Sequence, residues 1–207
     1  MRIIDIHTWN RKDQFQHFKD FEDPYFALTI PFDVTNAYRL CKKRDVSFFA
    51  RYLHDCIKAI NSVENLKYRI LDGEVVAYEV IHASATLSRA DNTFALSYIK
   101  FSEELNEFII NLDDEKKRVR ETGDFYPPEN NLDCVHCSAL PWVNFSSNKE
   151  AKSGIPDSVP KLAFGKVERN LDGRLRMNVS IAANHALVDG YHIGLFSEAF
   201  QKNLNLE

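Results

Sequence analysis

The stretch RMNVSIAANHALVDGYHIGLF, from Arg176 to Phe196, passes from the pattern of a strand to the pattern of a helix. Its first half alternates apolar and polar residues, which is typical of a strand with one buried face. The pair Asp189-Gly190 then predicts a turn into a final helix, which runs roughly through GYHIGLFSEAFQKNL. His185 therefore lies at or just beyond a strand end, where a rigid strand fixes a side chain and a loop exposes it.

Upstream segments carry equally clear local signals. The segment DVSFFARYLHDCIKAIN has apolar residues at helical spacing and offers Asp45 or Ser47 as its cap. Asp-Gly pairs at residues 72–73 and 172–173 predict turns between strands, because this pair favours tight hairpins. FSEELNEFIINLDDEKKRVRE is a predicted helix whose charged run, Asp113 to Arg118, forms a solvated face. The loop TGDFYPPENNLD and the predicted strand CVHCSALPWVNF follow it.

The order of these elements indicates the fold class. Helices and strands alternate along the chain without a periodic repeat. No linker rich in Gly, Ser or Pro divides the sequence, and 207 residues fit one ordinary domain. These features predict a single domain over residues 1–207 of the α/β class, with a mixed sheet flanked by helices in a two-layer α+β sandwich.

Composition narrows the classes of function. A net charge of -4 argues against nucleic-acid binding, because phosphate binding requires a basic surface. The chain has no run of about eighteen apolar residues and no signal-peptide pattern at its start, which predicts a cytoplasmic protein without membrane contact. The four cysteines are too few for a secreted disulfide framework and are expected to be reduced thiols. The one CxxC pair cannot complete a four-ligand zinc site, so no metal is predicted.

The pair formed by His185 and Asp189 permits two interpretations. A positioned imidazole and a nearby carboxylate are typical of a proton-transfer site. The same residues also fit a core imidazole bonded to backbone and a carboxylate that forms a turn or caps a helix. Their spacing alone does not decide between these interpretations, and no nucleophile motif such as GxSxG accompanies them.

Three segments, taken in chain order, resemble the signatures of the chloramphenicol acetyltransferase family. HALVDGYH, which contains His185 and Asp189, matches the HxxxDG active-site signature shared with other CoA-dependent acyltransferases. TWNRKDQFQHF is similar to the opening segment of the family, and CSALPWVNF is similar to its Ser-x-x-Pro-Trp-Val-Asn-Phe core strand. The hairpin KYRILDGEVVAYEV and the chain length match as well, so the resemblance covers essentially the whole chain.

The resemblance implies a fold, a reaction and an assembly. The fold is that of the CoA-dependent acyltransferases. The reaction is transfer of an acetyl group from the co-substrate acetyl-CoA to a hydroxyl of chloramphenicol or a related small acceptor, without a metal. Members of the family form homotrimers in which each site lies in the cleft between neighbouring subunits.

The resemblance also implies a role for individual residues. His185 matches the general base that removes a proton from the acceptor hydroxyl, and Ser138 matches the hydroxyl that stabilises the oxyanion of the tetrahedral intermediate. Asp189 and Arg11 match an ion pair that holds the site together. The implied substrate-binding positions are Phe18, Trp142, Lys161 and Ala163. Taken one at a time, Arg11 also fits a surface charge on the first helix, Ser138 a hydroxyl bonded to backbone, and Trp142 an ordinary core residue.

The sequence departs from the family pattern at three positions. Asn184 stands where many members have a second histidine, Lys161 stands where an apolar residue usually lines the acceptor pocket, and Ala163 replaces a usual hydroxyl residue. Burial of a lysine against an aromatic acceptor is costly unless its charge finds a partner. These departures motivate two alternatives: a family-shaped protein that binds CoA or a small ligand with little catalysis, and an acyltransferase with a different donor and acceptor.

Overall fold

The structure, a computed structural model, describes residues 1–129, 131–151 and 157–206. The α-helices in this part are α1 (Lys12–Phe18), α2 (Thr35–Arg44), α3 (Phe48–Asn61), α4 (Leu105–Glu121) and α5 (Gly190–Asn205), and a short 3-10 helix spans Glu64–Lys67. The strands are β1 (Arg2–Ile3), β2 (Tyr25–Asp33), β3 (Tyr68–Leu71), β4 (Glu74–Ala77), β5 (His82–Ser88), β6 (Phe94–Leu96), β7 (Cys134–Ala139), β8 (Lys161–Arg169) and β9 (Leu175–Asn184).

Six of these strands form one mixed sheet in the order β2-β9-β8-β7-β5-β6. In this sheet β7 is parallel to both β5 and β8, and the remaining pairs are antiparallel. The short strands β1, β4 and β3 form a second, antiparallel sheet. The predicted α/β class with a mixed sheet flanked by helices is therefore confirmed.

One face of the six-stranded sheet packs against helices. Phe164 of β8 contacts Tyr52 of α3, with ring centroids 4.9 Å apart. Phe32 of β2 contacts Phe200 of α5 at 4.7 Å. Burial of these rings and of the aliphatic residues between them supplies the main stabilisation of the two layers, because apolar burial dominates folding free energy.

The opposite face of the same sheet carries small and polar residues. Residues that pair directly across a sheet point to the same side, so the strand register defines this face. We call it the polar face; it comprises Tyr25, Ala27 and Thr29 of β2, Ser180, Ala182 and Asn184 of β9, Lys161 and Ala163 of β8, and His136 and Ser138 of β7. The sheet thus has one face that packs large apolar side chains against helices and another that carries small and polar side chains.

Several local predictions agree with the structure. Ser47, not Asp45, caps α3 by accepting the backbone N–H of Ala50 at 3.3 Å. Asp72 and Gly73 both adopt positive φ, which is the geometry of the tight turn that Asp-Gly favours. The four cysteines are buried and free. The described residues between α4 and β7 form a loop, as predicted; Asn130 of this segment lies outside the described residues. No helix within the described ranges is long and apolar enough to cross a membrane.

Two predictions were wrong in detail. The strand expected over CVHCSALPWVNF ends at Ala139, and the chain turns at Pro141, which has no backbone N–H for a sheet ladder. Trp142 is therefore not a core residue of the single chain, since 73% of it is exposed. The charged run of α4 is not wholly solvated either: Arg118 is largely buried, where it pairs with Glu115 and donates to the carbonyl of Leu96.

Arg69 joins the small sheet to the first residues of β7. Its guanidinium is fully buried and donates to the backbone carbonyls of Leu66, Tyr68, Leu132 and Cys134 at 2.6–3.1 Å. Burial lowers the pKa of this guanidinium to about 10, so it remains charged near neutral pH. The site strand β7 is thus held at its start by a cation that is bonded to backbone oxygens.

Replacement of this cation by an apolar side chain is expected to destabilise the fold. Arg69→Met leaves several buried carbonyls without a donor, and we expect a loss of about 3–5 kcal/mol in the free energy of unfolding. Urea denaturation followed by circular dichroism measures the loss. The control, Arg176→Met on the exposed side of β9, should change the value by less than about 0.5 kcal/mol. If the two variants unfolded at the same urea concentration, the assigned role of Arg69 would be wrong.

Candidate active site

A tight turn after β9 presents His185. The side chain of Asn184 accepts the backbone N–H of Ala186 at 3.0 Å, and its backbone carbonyl accepts the N–H groups of Leu187 and Val188. The N–H of His185 donates to the carbonyl of Pro24 at 2.8 Å, just before β2. The turn is therefore fixed both by its own residues and by the neighbouring edge strand. Asn184 acts here as a turn-forming side chain.

The imidazole of His185 is held in one orientation and one tautomer. Its ring stacks on Phe18 with centroids 4.2 Å apart and planes 4° from parallel, and it contacts Phe26 at 4.6 Å. Nδ1 lies 3.1 Å from the carbonyl oxygen of Val188. A carbonyl only accepts hydrogen bonds, so Nδ1 carries the proton of the neutral ring, and the lone pair is on Nε2. The half-buried ring thus offers Nε2 as a proton acceptor.

Arg11 and Asp189 form the ion pair that clamps this turn. The buried guanidinium contacts the Asp189 carboxylate through Nη1, while Nη2 lies 3.4 Å from the carbonyl oxygen of His185. The other carboxylate oxygen accepts the N–H of Tyr191 at 3.0 Å and so caps α5, and His192 closes a capping box. Asp189 therefore performs both functions considered from the sequence, the ion pair and the helix cap.

The protonation of Asp189 reflects these contacts. Partial burial alone would raise the pKa of its carboxyl, but the hydrogen bond from Arg11, its positive charge and the N–H of Tyr191 outweigh this and lower the pKa below the usual value. Burial lowers the pKa of the His192 imidazole as well, which favours the neutral ring that the capping box requires. The clamp is therefore ionised on the carboxylate side throughout the neutral range.

Ser138 lies on the polar face, in register with Ala163 of β8 and Ser180 of β9. The half-buried Ser138 has no hydrogen-bond partner for its hydroxyl among the residues that the structure describes. Ala163 and Ser180 are almost completely buried beside it. The hydroxyl is therefore available to a ligand that approaches this face near the end of β7.

His185 and Ser138 of one chain do not meet. The residue of β9 in line with Ser138 is Ser180, five positions before His185. At the standard spacings of a sheet, this separation amounts to about 16 Å along the strands and about 10 Å across them. Both distances exceed the reach of a hydrogen bond, so the two side chains cannot act on one atom within a single chain.

Lys161 is paired. Its ammonium lies 2.8 Å from a carboxylate oxygen of Asp157 and 5.0 Å from the centroid of the Tyr25 ring. Burial alone would raise the pKa of the Asp157 carboxyl, but the hydrogen bond and charge of Lys161 and the N–H of Val159 lower it. The polar face thus carries an ion pair in which the two charges neutralise each other. Lys161 is in register with His136, which precedes Ser138 by two residues on β7.

Comparison with known proteins assigns the family. The sequence model of the chloramphenicol acetyltransferase family matches residues 1–201. The chain belongs to the chloramphenicol acetyltransferase family. This protein is accordingly an acyltransferase enzyme.

Individual relatives cover almost the whole chain. Chloramphenicol acetyltransferase 3 of Escherichia coli is 25% identical over 208 residues, which are 98% of this chain and 96% of that protein. A chloramphenicol acetyltransferase of Clostridium perfringens is 24% identical over 210 residues, 99% of this chain and 95% of the relative. A solved chloramphenicol acetyltransferase superposes with a TM-score of 0.91 at 27% identity and covers 98% of this chain and 99% of its own. The dihydrolipoamide acetyltransferase of Azotobacter vinelandii shares the fold, with a TM-score of 0.69 at 14% identity over 94% of this chain and 86% of its own.

The structure adds residues to those that the sequence suggested for a chloramphenicol acetyltransferase site. Phe18 of α1, predicted to contact substrate, contacts the ring of His185, and Phe26 of β2 contacts the same ring. Asp157 was missed as the partner of Lys161, although its spacing of four residues was visible in the sequence. Within the described ranges, no group of three or more His, Cys, Asp or Glu side chains is arranged to hold a metal ion.

The clamp predicts a pH-dependent stability. The folded-state pKa of Asp189 lies below its unfolded value, so its contribution is complete above the unfolded pKa, about 4, and disappears as pH falls through the lowered folded pKa. Asp189→Asn keeps a capping side chain but removes the charge, and we expect a loss of about 1 kcal/mol in unfolding free energy at pH 7.

Urea denaturation at pH 7, 5 and 3 tests this expectation. The difference between Asp189→Asn and the parent should shrink toward pH 3, because protonation of this carboxylate in the unfolded chain begins to offset its contribution once the pH falls below the unfolded pKa, about 4. The matched control is Asp20→Asn, since the side chain of Asp20 is 81% exposed and its ion pair with Lys19 is long, at 3.8 Å. A difference that stays constant from pH 7 to pH 3 would show that the charge of Asp189 does not stabilise the turn.

Proposed function

We propose that the protein is an acetyl-CoA-dependent O-acetyltransferase that acetylates a hydroxyl of chloramphenicol or of a related small acceptor. The observation that carries this proposal is the state of His185: its Nδ1 donates to Val188, and its ring is held between Phe18 and Phe26, so Nε2 is the free base. The membership of the family supports the donor and the acceptor class. No metal takes part in the proposed reaction.

The proposed chemistry is direct transfer. Nε2 of His185 accepts the proton of the acceptor hydroxyl while that oxygen attacks the thioester carbonyl of acetyl-CoA. The hydroxyl of Ser138 donates a hydrogen bond to the oxyanion of the tetrahedral intermediate. When the intermediate collapses, the C–S bond breaks, and the imidazolium returns its proton to the departing thiolate of CoA. The products are the acetyl ester and free CoA, without a covalent enzyme intermediate.

The surroundings of His185 suit this proton transfer. During the reaction the ring becomes an imidazolium, and the Val188 carbonyl at 3.1 Å then faces a stronger donor. The aromatic faces of Phe18 and Phe26 attract the same positive charge. These contacts stabilise the imidazolium. They also fix the orientation of the His185 ring before the acceptor binds.

We propose a homotrimer in which each site is shared by two subunits. The separation of His185 and Ser138 within one chain supports sharing, because the proposed chemistry requires both side chains at one acceptor. The exposed apolar side chains of Trp142 and Val143 lie a few residues after β7, as expected for a surface that a neighbouring subunit covers. We further propose that residues 1–207 form one domain that works in the cytoplasm, which the four buried free thiols support.

The acceptor of this enzyme is more hydrophilic than an aromatic antibiotic. The ion pair of Lys161 with Asp157 makes part of the polar face charged, and the pair retains its charges only if polar groups or water surround it. We therefore place chloramphenicol among the acceptors that the site accepts less well. The alternative of a binding protein with little catalysis is tested by the same measurement of CoA release.

Substitution of the two proposed catalytic residues separates their roles. His185→Ala should abolish release of CoA from acetyl-CoA in the presence of an acceptor, as measured with a thiol reagent. Ser138→Ala should lower kcat about 10²–10³-fold with little change in KM, because its hydrogen bond strengthens only in the transition state. Unchanged turnover in His185→Ala would refute the mechanism.

A mixture of these two impaired variants tests the shared site. In mixed trimers, an intact His185 from one subunit meets an intact Ser138 from the next at about a quarter of the interfaces, so activity should reappear. Separate refolding of each variant provides the control, since neither alone contains a complete site. A mixture as inactive as its components would place both groups in one chain.

Removal of the ion pair on the polar face should change acceptor preference. The double variant Asp157→Asn/Lys161→Leu should raise kcat/KM for chloramphenicol relative to small hydrophilic alcohols by about 10-fold, because an apolar side chain replaces a charged one. The single variant Lys161→Leu serves for comparison, since it leaves Asp157 without its cation. An unchanged preference in the double variant would show that the pair lies outside the acceptor site.

A further inference from the structure

A cleft of about 410 Å³ lies between the start of α2 and the turn that joins β8 to β9. We call it the arginine cleft, because Arg39 of α2, Arg169 of β8 and Arg174 of the turn all line it. The other described residues that line it are polar or glycine, and none has a large apolar side chain. Its volume is within the range of small-ligand sites, and its walls suit a charged ligand better than an aromatic one.

The arginine cleft is remote from the turn that carries His185. Asn205, the last residue of α5, lines the cleft, whereas Asp189 caps the other end of the same helix beside the candidate active site. This helix has 16 residues and therefore spans about 24 Å. The cleft contains none of the side chains of this chain to which we assign a part in acetyl transfer. A ligand bound there would have a role separate from that reaction.

A tight turn with a defined backbone carries two of the three arginines. Asn170 donates its backbone N–H to the carbonyl of Arg174 at 2.8 Å, and Gly173 donates its own to the carbonyl of Asn170 at 3.0 Å. Gly173 has a φ of 81°, which glycine adopts without strain. The guanidinium of Arg169 lies over this turn and donates through Nη1 to the carbonyl of Gly173 at 3.1 Å. The turn therefore fixes where these two cationic residues enter the cleft.

Two carboxylates at the cleft compensate only part of its positive charge. Asp33 accepts the backbone N–H of Thr35 at 2.9 Å. Asp172 accepts the backbone N–H of Arg174 at 3.0 Å. The guanidinium of Arg174 lies 3.9 Å from the Asp33 carboxylate and 3.6 Å from the Asp172 carboxylate, beyond the length of a hydrogen bond. Both carboxylates thus serve the local backbone, and the Arg174 side chain remains 64% exposed.

The other two arginines have no acidic partner in the described part of the chain. Arg39 and Arg169 are both exposed, and no carboxylate lies within ion-pair distance of either among the described residues. Three guanidinium groups therefore line the cleft against two carboxylates. Like charges around one cleft repel each other, so an anion that binds there would relieve this repulsion and also accept hydrogen bonds.

We propose that the arginine cleft is a binding site for a small anion with linked phosphate groups, separate from the site of acetyl transfer. A guanidinium is planar and donates parallel hydrogen bonds that match two oxygens of one phosphate group. Because Arg39, Arg169 and Arg174 come from different segments of the chain, they can contact more than one phosphate group at a time. The polar walls provide no apolar contact area, which selects a compact, highly charged ligand.

Titration calorimetry of the full chain with inorganic pyrophosphate tests this site. Arg39→Gln and Arg169→Gln should each bind pyrophosphate about 10-fold more weakly than the parent, because charge-assisted hydrogen bonds are lost. The matched control is Arg44→Gln, which removes the same charge from an exposed position of α2 outside the cleft and should leave the affinity unchanged. All three positions are exposed, and equal thermal unfolding without ligand verifies the fold of the variants.

A substitution of opposite sign provides a second test. Asp172→Asn keeps an acceptor for the backbone N–H of Arg174 but removes a negative charge from the cleft. Pyrophosphate should bind this variant about 3-fold more tightly, whereas Asp20→Asn, at an exposed position outside the cleft, should have the affinity of the parent. Orthophosphate should bind the parent about 10-fold more weakly than pyrophosphate, because a single phosphate group contacts fewer guanidinium groups.

Several results would overturn this assignment. It is wrong if the parent shows no saturable binding of pyrophosphate below about 1 mM, or if Arg39→Gln and Arg169→Gln bind as tightly as the parent. An equal loss in Arg44→Gln would show a general effect of charge, and equal affinities for orthophosphate and pyrophosphate would exclude recognition of linked phosphates. An excess of CoA should leave the pyrophosphate affinity unchanged, and competition would place the anion at the donor site instead. None of these measurements involves acetyl transfer, so their failure leaves the proposed reaction unaffected.

Discussion

The ion pair between Arg11 and Asp189 connects residues 178 positions apart in the sequence, and the geometry of the candidate site depends on it. The same guanidinium reaches toward the carbonyl of His185, and the same carboxylate starts α5. One interaction therefore fixes the N-terminal segment, the turn after β9 and the last helix relative to one another. Without it, the imidazole would keep its chemical properties but lose a defined position, and position is what converts a histidine into an efficient base.

The two faces of the six-stranded sheet differ in polarity, so the same sheet contributes both to the hydrophobic core and to the candidate site. Large apolar side chains on one face are buried against helices, whereas the opposite face carries small and polar side chains, among them the hydroxyl of Ser138. The alternation along β7 and β8 places Cys137 and Leu162 in the core and their neighbours Ser138 and Ala163 on the polar face. Because the side chains on one face of these strands are buried in the core, the backbone is rigid and also fixes the side chains on the other face.

Local patterns in the sequence predicted the elements well, since hairpin turns at Asp-Gly and helical spacing depend on neighbouring residues. The order of the strands could not be predicted in this way, because the pairing of β2 with β9 joins segments about 150 residues apart. The motif containing His185 was readable, but the roles of Pro24 and Phe26 arise only when β2 lies beside β9. The strand predicted to run through Trp142 was too long, because the segment has the pattern of a strand although Pro141 ends the ladder.

Two buried arginines hold different parts of the molecule, and they respond differently to acid. Arg69 is bonded to backbone carbonyls, which do not titrate, so its own hydrogen bonds between the small sheet and β7 do not depend on a carboxylate. Arg11 depends on Asp189, which becomes protonated at low pH. Protonation of Asp189 would therefore weaken the contact that holds the turn of His185, whereas the hydrogen bonds of Arg69 to backbone oxygens would persist. The two arginines therefore differ in kind: the contact at the candidate catalytic turn depends on a charge that acid can remove, and the contacts at the start of β7 do not.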